Sequence, residues 1–376
     1  LSALGPRTFE RRTPFEVIRP YVLVFDRALL TATALVMLIS IAIQYSAGFD
    51  FPGRFEGHVR NLLVAIAVMW VVALVPPNLL MRIAVPLYAV GVALLVAVDL
   101  FGVTNKGAQR WLNIGFTRIQ PSEVLKIATP LMLAWYFQQR EGVLRWFDFL
   151  MAALILIIPV GLIAKQPDLG TAILVLAAGV YVIFFAGLSW RIILGLLVAG
   201  VAALPLLWMS MHDYQRQRVL TLIDPTADPL GKGFHIIQST IAVGSGGLFG
   251  KGWMQGTQTH LEFIPERTTD FILAVYAEEF GFFGVCILMT LYLAIILRGL
   301  AIAATGGSTF GRLLAGSISL SFFTYCFVNT GMVIGILPVV GVPLPWLSYG
   351  GTAMVTLGLG MGMLMSIQRH RTLVPG

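Results

Sequence analysis

The sequence predicts an all-α polytopic membrane protein of about ten transmembrane helices, with a long extracytoplasmic loop between the seventh and the eighth. Three observations carry that prediction. The 376 residues are 57% hydrophobic and only 11% charged, against roughly 25% charged in an average soluble domain. The apolar residues fall into runs near the ~20 residues that a helix needs to cross a bilayer. The runs also lack the apolar–polar alternation of a transmembrane β-barrel.

The runs cover residues 28–47, 61–76, 80–100, 121–138, 147–164, 168–187, 190–210, 270–297, 309–336 and 348–367. The second is short for a span, and the eighth and ninth are long. Residues 1–26 are polar and contain prolines, without the charged tip and short apolar stretch of a cleavable signal. The first helix is therefore expected to act as the insertion signal. The predicted organisation is a cytoplasmic segment 1–26, a ten-helix membrane domain 27–368 and a cytoplasmic tail 369–376. No soluble domain and no internal repeat stands out. Cys286 and Cys326 both lie in apolar runs and read as free thiols packed among helices.

Ten spans place both termini on one side. Arginines at 7, 11, 12, 19, 27, 82, 140, 145, 191, 298, 312, 369 and 371 then share that side. The short loops opposite hold only Arg54, Arg60, Lys106, Arg110, Arg118 and Lys165. The excess marks both termini as cytoplasmic. This topology also accounts for the net charge of +7. The basic residues form no patch interleaved with aromatics, so a nucleic-acid partner is not implied.

The segment 211–269 is then extracytoplasmic, and it is too long for a simple connection, so a function is expected there. Within it Ile236 to Val243 reads as a short helix lying at the membrane interface. Gly244, Gly246, Gly247, Gly250 and Gly252 follow, a density that suits turns and close backbone approach. Phosphate cradling is the weaker reading of these glycines, because no P-loop pattern accompanies them.

Ionisable groups gather at the outer ends of the helices. Asp270 ends the long polar segment where it meets the eighth run, a place where a carboxylate is poorly solvated and must be paired or do chemistry. Its structural alternative is a helix cap. Glu123 and Lys126, three residues apart, share a helix face and either neutralise each other or line a cavity. Asp168, at the start of the sixth run, is an N-cap or a site residue. On an ideal helix Glu278 lies about 80° from Asp270 and Glu279 nearly opposite it, so a structural role is expected for these two. Gly358 and Gly362 form a GxxxG pair for helix packing. In the proline-rich outer loop, Trp346 and Tyr349 suit the lipid headgroup level, and Ser348 is either a capping residue or a ligand contact. No His/Cys cluster has metal-ligand spacing.

Three stretches together resemble the SEDS family (shape, elongation, division and sporulation). They are Tyr214-Gln215-Arg216-Gln217-Arg218 with Asp224-Pro225, Glu262 to Asp270 with Ala277-Glu278-Glu279-Phe280-Gly281, and Gly335-Ile336-Leu337-Pro338 through Pro343 to Gly351. The resemblance covers essentially the whole chain. Phe263-Ile264-Pro265-Glu266-Arg267 is closer to the elongation branch than to the division branch, which tends to carry Pro-Glu-Ala there. Thr268 departs from the family's usual histidine, so a proton relay through that position is not supported.

The resemblance implies a peptidoglycan glycosyltransferase that polymerises lipid II on the outer face of the bacterial cytoplasmic membrane. It places the family's essential aspartate at Asp270 and other family positions at Arg110, Glu123, Lys126, Asp168 and Arg218. An α-linked pyrophosphate donor and a β-1,4 product require one inverting displacement. One base for the acceptor hydroxyl and cations for the leaving group then suffice, unlike the paired carboxylates of glycosidases. Asp270 is the candidate base; Lys126, Arg110, Arg216 and Arg218 are the candidate pyrophosphate ligands. A divalent cation (Mg2+ or Mn2+) is a candidate to share that neutralisation, although no dedicated cage is visible. The implied partners are a class B penicillin-binding protein and other elongation proteins. The alternatives are a lipid II flippase, for which Glu278 and Glu279 are the best support, and a non-catalytic scaffold.

Overall fold

A computed structural model describes residues 25–105, 108–113, 118–142, 144–211, 213–225, 232–264 and 266–372. The long helices begin with α1 (Arg27–Ala47), α2 (Arg54–Leu74) and α3 (Pro77–Phe101). A small antiparallel sheet follows, β1 (Val103–Asn105), β2 (Ala108–Asn113) and β3 (Arg118–Ile119), paired in that order. Then come α4 (Pro121–Gln139), α5 (Trp146–Lys165), α6 (Leu169–Phe185) and α7 (Trp190–Ser210). The long loop holds α8 (Asp213–Ile223), α9 (Lys232–Ser245) and the single turn α10 (Thr257–His260). The chain closes with α11 (Ile272–Ala304), α12 (Thr309–Val333) and α13 (Gly351–Arg369).

Each predicted run thus coincides with a long helix. Seven of these are long and apolar enough to cross a membrane: α1, α2, α3, α5, α11, α12 and α13. Helices α6 and α7 contribute shorter apolar stretches, and α4 carries Glu123 and Lys126 in its first turns. Helix starts follow local chemistry. Asp26 caps α1 by accepting from the Leu29 amide at 3.0 Å, and Ser308 caps α12 by accepting from the Gly311 amide at 3.1 Å. Pro77 and Pro121 occupy first positions, where the missing N–H is no loss.

The helices pack through small residues, as expected where lipid rather than water surrounds them. Helix α13 lies on α2, and a Cβ at Gly358 would fall 2.5 Å from the Ala65 carbonyl oxygen and one at Gly362 2.7 Å from that of Met69. The predicted GxxxG role is therefore a contact between these two helices. Helix α11 packs on α1 and α12, and α4 lies among α3, α6 and α12.

The structure corrects three expectations. Helix α2 begins at Arg54 rather than 61, because the polar turn Arg54–Arg60 is itself helical, with His58 buried against the Ser40 hydroxyl. Helix α9 contains the short helix predicted at 236–243 and packs on α11 and α12. Its Ile236, Ser239 and Ala242 are buried, and Ser239 donates to the Val333 carbonyl at 2.8 Å. Trp346 is fully buried rather than set among headgroups, and Tyr349 covers His58 and the Arg54 guanidinium. Cys326 is buried as expected, but Cys286 is exposed.

Helix α11 is broken at Gly281 (φ 64, ψ −165). The break frees backbone groups, and the glycine-rich segment satisfies them. Lys251 and Gly252 amides donate to the Glu278 and Glu279 carbonyls, each at 3.0 Å, while Phe282 and Phe283 amides donate to the Gly247 and Leu248 carbonyls at 2.9 and 3.1 Å. A Cβ at Gly246 or Gly250 would stand 2.1 Å from a carbonyl oxygen of α11. The glycines therefore serve close backbone approach, the first of their two readings.

Candidate active site

The polar turn before α11 is tied down residue by residue. Arg267 is buried; its Nε donates to the Ala47 carbonyl at 2.9 Å, its guanidinium pairs with Asp50, and it lies over the rings of Phe49 and Phe51. Burial pushes the Asp50 carboxyl up, but the Arg267 hydrogen bond and charge more than offset it and hold its pKa below the usual carboxylate value. The Thr268 carbonyl accepts from Gln44 Nε2, the Thr269 carbonyl from Ser348 Oγ and the Asp270 carbonyl from Asn329 Nδ2, at 2.8, 2.6 and 2.9 Å. The N-cap of α11 is Phe271, with no side-chain cap bond. Asp270 is therefore not the helix cap that its position also suggests.

The Asp270 side chain instead faces a cavity of about 470 Å³, lined also by Arg110, Glu123, Lys126, Asp168, His235, Glu266 and the loop Val339–Pro343. Helix α4 supplies Glu123 and Lys126, which pair at 2.6 Å, and Lys126 also lies 5.5 Å from the Tyr325 ring centroid. Strand β2 supplies Arg110, whose guanidinium stands 3.8 Å from Asp168 and donates to the Pro167 carbonyl. Asp168 both caps α6, accepting from the Thr171 amide at 3.3 Å, and faces the cavity, where Gln120 donates to it at 3.1 Å. His235 of α9 stacks on Phe271, with ring centroids 5.7 Å apart.

An apolar groove of about 860 Å³ runs between α2, α3, α4 and α13, with Val64, Leu79, Ile83, Ile127, Val355 and Leu359 among its walls. It shares Gln120 and Glu123 with the polar cavity. The pair of spaces suits a molecule with a long apolar tail and an anionic, polar head. Another cavity of about 620 Å³, beside Arg140 and Arg312, contains none of the predicted site residues. Among the described residues no group of three or more His, Cys, Asp or Glu side chains could hold a metal ion.

The structure brings five predicted residues together: Asp270, Lys126, Glu123, Arg110 and Asp168. Two others, Ser348 and Arg216, are not among the residues that line the cavity. Ser348 is buried and its hydroxyl joins the Thr269 carbonyl to the Leu344 amide. Arg216 donates to the Trp208 and Met209 carbonyls at the end of α7. The side chain of Arg218 lies outside the described residues. Glu278 and Glu279 are also elsewhere: Glu278 is enclosed by Lys251 Nζ at 2.7 Å and the Gln258 and Thr259 amides at 2.9 and 3.3 Å, and Glu279 accepts from Ser46. Sequence reasoning missed Gln44, Asn329 and His235. A lone carboxamide in an apolar run, such as Asn329, is the signal that could have found the first two.

Comparison with known proteins places this geometry in context. The family model FtsW/RodA/SpoVE, described as cell cycle protein, matches residues 21–373. The peptidoglycan glycosyltransferase MrdB of Escherichia coli (strain K12) is 50% identical over 357 residues, 93% of this chain and 96% of that protein. MrdB of Helicobacter pylori (strain J99 / ATCC 700824) is 35% identical over 95% of this chain and 90% of its own length. A solved structure of a peptidoglycan synthase complex that coordinates polymerization and crosslinking contains a chain that superposes with a TM-score of 0.80 at 32% identity, covering 93% of this chain and 99% of that one. The crystal structure of the Thermus thermophilus rod shape determining protein RodA superposes with a TM-score of 0.71 at 29% identity, over 93% of this chain and 98% of that one.

Proposed function

Since this chain belongs to the SEDS (FtsW, RodA and SpoVE) family and is a peptidoglycan glycosyltransferase, we propose that it polymerises lipid II with Asp270 as general base. The observation that carries the proposal is one cavity that Asp270, Lys126 and Arg110 line together, and that adjoins an apolar groove. The groove takes a polyprenyl tail, and the cavity takes the pyrophosphate and sugars.

In the proposed step, the 4-hydroxyl oxygen of the acceptor's GlcNAc attacks the anomeric carbon of the donor's MurNAc. The bond from that carbon to the pyrophosphate oxygen breaks, and its electron pair leaves with the phosphate. Asp270 takes the hydroxyl proton. The donor's α linkage becomes the product's β-1,4 linkage in a single displacement, so no covalent enzyme intermediate forms. Lys126 and Arg110 neutralise the departing charge: lysine as a point charge, arginine as a fork. Glu123 and Asp168 hold these cations in place until the substrate arrives. The Arg110 side chain is 32% exposed against 6% for Lys126, so Arg110 is the more accessible of the two cations to phosphate.

The reaction is assigned to the outer face of the bacterial cytoplasmic membrane, with both termini cytoplasmic, from the arginine asymmetry of the sequence. A class B penicillin-binding protein is the proposed partner, in keeping with the likeness to a chain from a peptidoglycan synthase complex. The flippase alternative drew on Glu278 and Glu279; Glu278 instead anchors the outer loop, and Glu279 accepts from Ser46 at the end of α1. The test is polymerisation of lipid II by the purified protein with its cognate transpeptidase. Glycan from wild type and none from a folded Asp270→Asn variant supports the assignment; glycan from both refutes the base.

A further inference from the structure

Asp270 stands at the end of three consecutive backbone carbonyls, at 268, 269 and 270, that precede a helix and have no place in its hydrogen-bond ladder. A buried carbonyl without a donor is costly, and here each has a buried side chain as its partner. The partners come from three separate elements: Gln44 from α1, Ser348 from the outer loop and Asn329 from α12. Gln44 and Asn329 are fully buried, and Ser348 is 3% exposed.

The same three side chains also hold a second segment. Gln44 Nε2 donates to the Leu347 carbonyl at 2.7 Å, Asn329 Nδ2 to the Val342 carbonyl at 2.8 Å, and Ser348 Oγ accepts from the Leu344 amide at 2.7 Å. Tyr292 and Ser40 complete the hold by donating to the Pro345 and Trp346 carbonyls at 2.7 and 2.6 Å. Trp346 has φ +65, a conformation that persists in a non-glycine residue only where its surroundings impose it. Immediately before this segment, Val339–Pro343 forms a wall of the polar cavity. A Cβ at Gly341 would lie 3.5 Å from Asp270 Oδ2, so that wall and the carboxylate face each other closely.

We propose that Gln44, Ser348 and Asn329 are positioning residues that bind the Asp270 turn and the 339–348 loop into one unit, and so fix the carboxylate against the wall of the polar cavity. The proposal rests on Asp270 acting as the base. A proton transfer from a bound hydroxyl depends steeply on placement, and a shift near 1 Å can cost about 100-fold in rate. Loss of a clamp bond should therefore lower kcat far more than it raises KM, since none of the three side chains lies among the cavity-lining residues.

The test measures kcat, KM and melting temperature for lipid II polymerisation by the complex with its transpeptidase. Asn329→Ala and Ser348→Ala should lower kcat by about 10- to 100-fold with KM nearly unchanged, and Ser348→Thr, which keeps the hydroxyl, should recover most of the loss. Ser317→Ala is the control: that hydroxyl makes an equally buried bond to the Ala178 carbonyl at 2.7 Å, away from the site, and its loss should leave kcat near wild type. Wild-type kcat in both folded alanine variants overturns the proposal, as does an equal loss of kcat in Ser317→Ala at an equal fall in melting temperature. If Asn329→Ala does not fold, the Ser348 pair decides. Asp270→Asn in the same assay keeps the two readings apart: turnover there sinks the base, whereas inactivity there with normal clamp variants sinks only the clamp.

Discussion

Asp270 and Glu278 stand eight residues apart at one end of the same helix, and their surroundings use the two carboxylates oppositely. Glu278 is fully buried, and Lys251, two backbone amides and two threonine hydroxyls converge on it. At Asp270 a polar side chain holds the backbone carbonyl, and the residue lines a cavity shared with Lys126 and Arg110. A carboxylate whose oxygens are saturated by its own protein serves as a structural anchor. One whose backbone is saturated and whose side chain is directed into a cavity is prepared for a substrate. The contrast separates the two roles where sequence spacing could only weigh them.

The strongest way to break the contrast is at Asp270. Replacement by Asn keeps the shape and removes the basicity. General-base catalysis contributes about 10²–10⁴-fold, so Asp270→Asn should lower lipid II turnover by at least about 100-fold while the protein is made and folds normally. Lys126→Ala comes next, with a loss of about 10- to 100-fold, near the 1.4–2.7 kcal/mol expected of a charged contact. Part of that loss would come from Glu123 left without its partner. A double-mutant cycle with Glu123→Gln and Lys126→Met, reading kcat/KM and melting temperature, separates the two: additive effects on kcat/KM would mean that Lys126 acts on substrate independently of its pair.

The charged half of the site was legible because ionised groups are rare in an apolar chain and each one demands a reason. Asp270, Lys126, Glu123 and Asp168 stood out on that ground, Arg110 came from the family resemblance, and the five share one cavity. The helices were legible because their apolar runs are long, and the largest miss, the start of α2, fell where Arg54–Arg60 is polar and still helical. The uncharged clamp was hidden. Gln44 and Asn329 carry no charge, and their partners lie 224 and 59 residues away in sequence. Ser348 was noticed and its direction was not, since a hydroxyl fits a ligand and a carbonyl equally well. The glycines at 246–252 suggested close approach, but the helix break that they serve is at Gly281, in another element. Partnerships of this kind arise only when distant segments meet.

The opposite arm of the comparison is Glu278→Gln, a loss of stability rather than of chemistry. Removing one partner of a buried pair costs about 3–5 kcal/mol, reduced here because Lys251 is partly exposed and can turn to solvent. The expected result is a lower melting temperature in detergent and faster proteolysis within 246–263, with kcat per folded molecule close to wild type. A folded Glu278→Gln enzyme with lost turnover and an unchanged melting temperature would erase the distinction between the two carboxylates.

The smallest effect tests how the turn before Asp270 is anchored to the loop after α1. Burial raises the Asp50 carboxyl, and the Arg267 hydrogen bond and charge outweigh it, so the folded pKa lies below the ordinary aspartate value of 3.8. A carboxyl with a depressed folded pKa adds stability that is complete above its unfolded value. That contribution fades as pH falls below about 3.8 and through the lower folded value. Between pH 7 and pH 5 the pair should therefore leave the melting temperature unchanged. Below pH 4 wild type should lose stability more steeply than Asp50→Asn, which has no proton to gain there. Asp50 is partly solvated, so the difference is expected to be small. Parallel acid slopes for the two proteins would mean that Arg267 is held by the Ala47 carbonyl and the Phe49 and Phe51 rings alone, and that the turn presenting Asp270 owes its anchorage to hydrogen bonding and stacking rather than to charge.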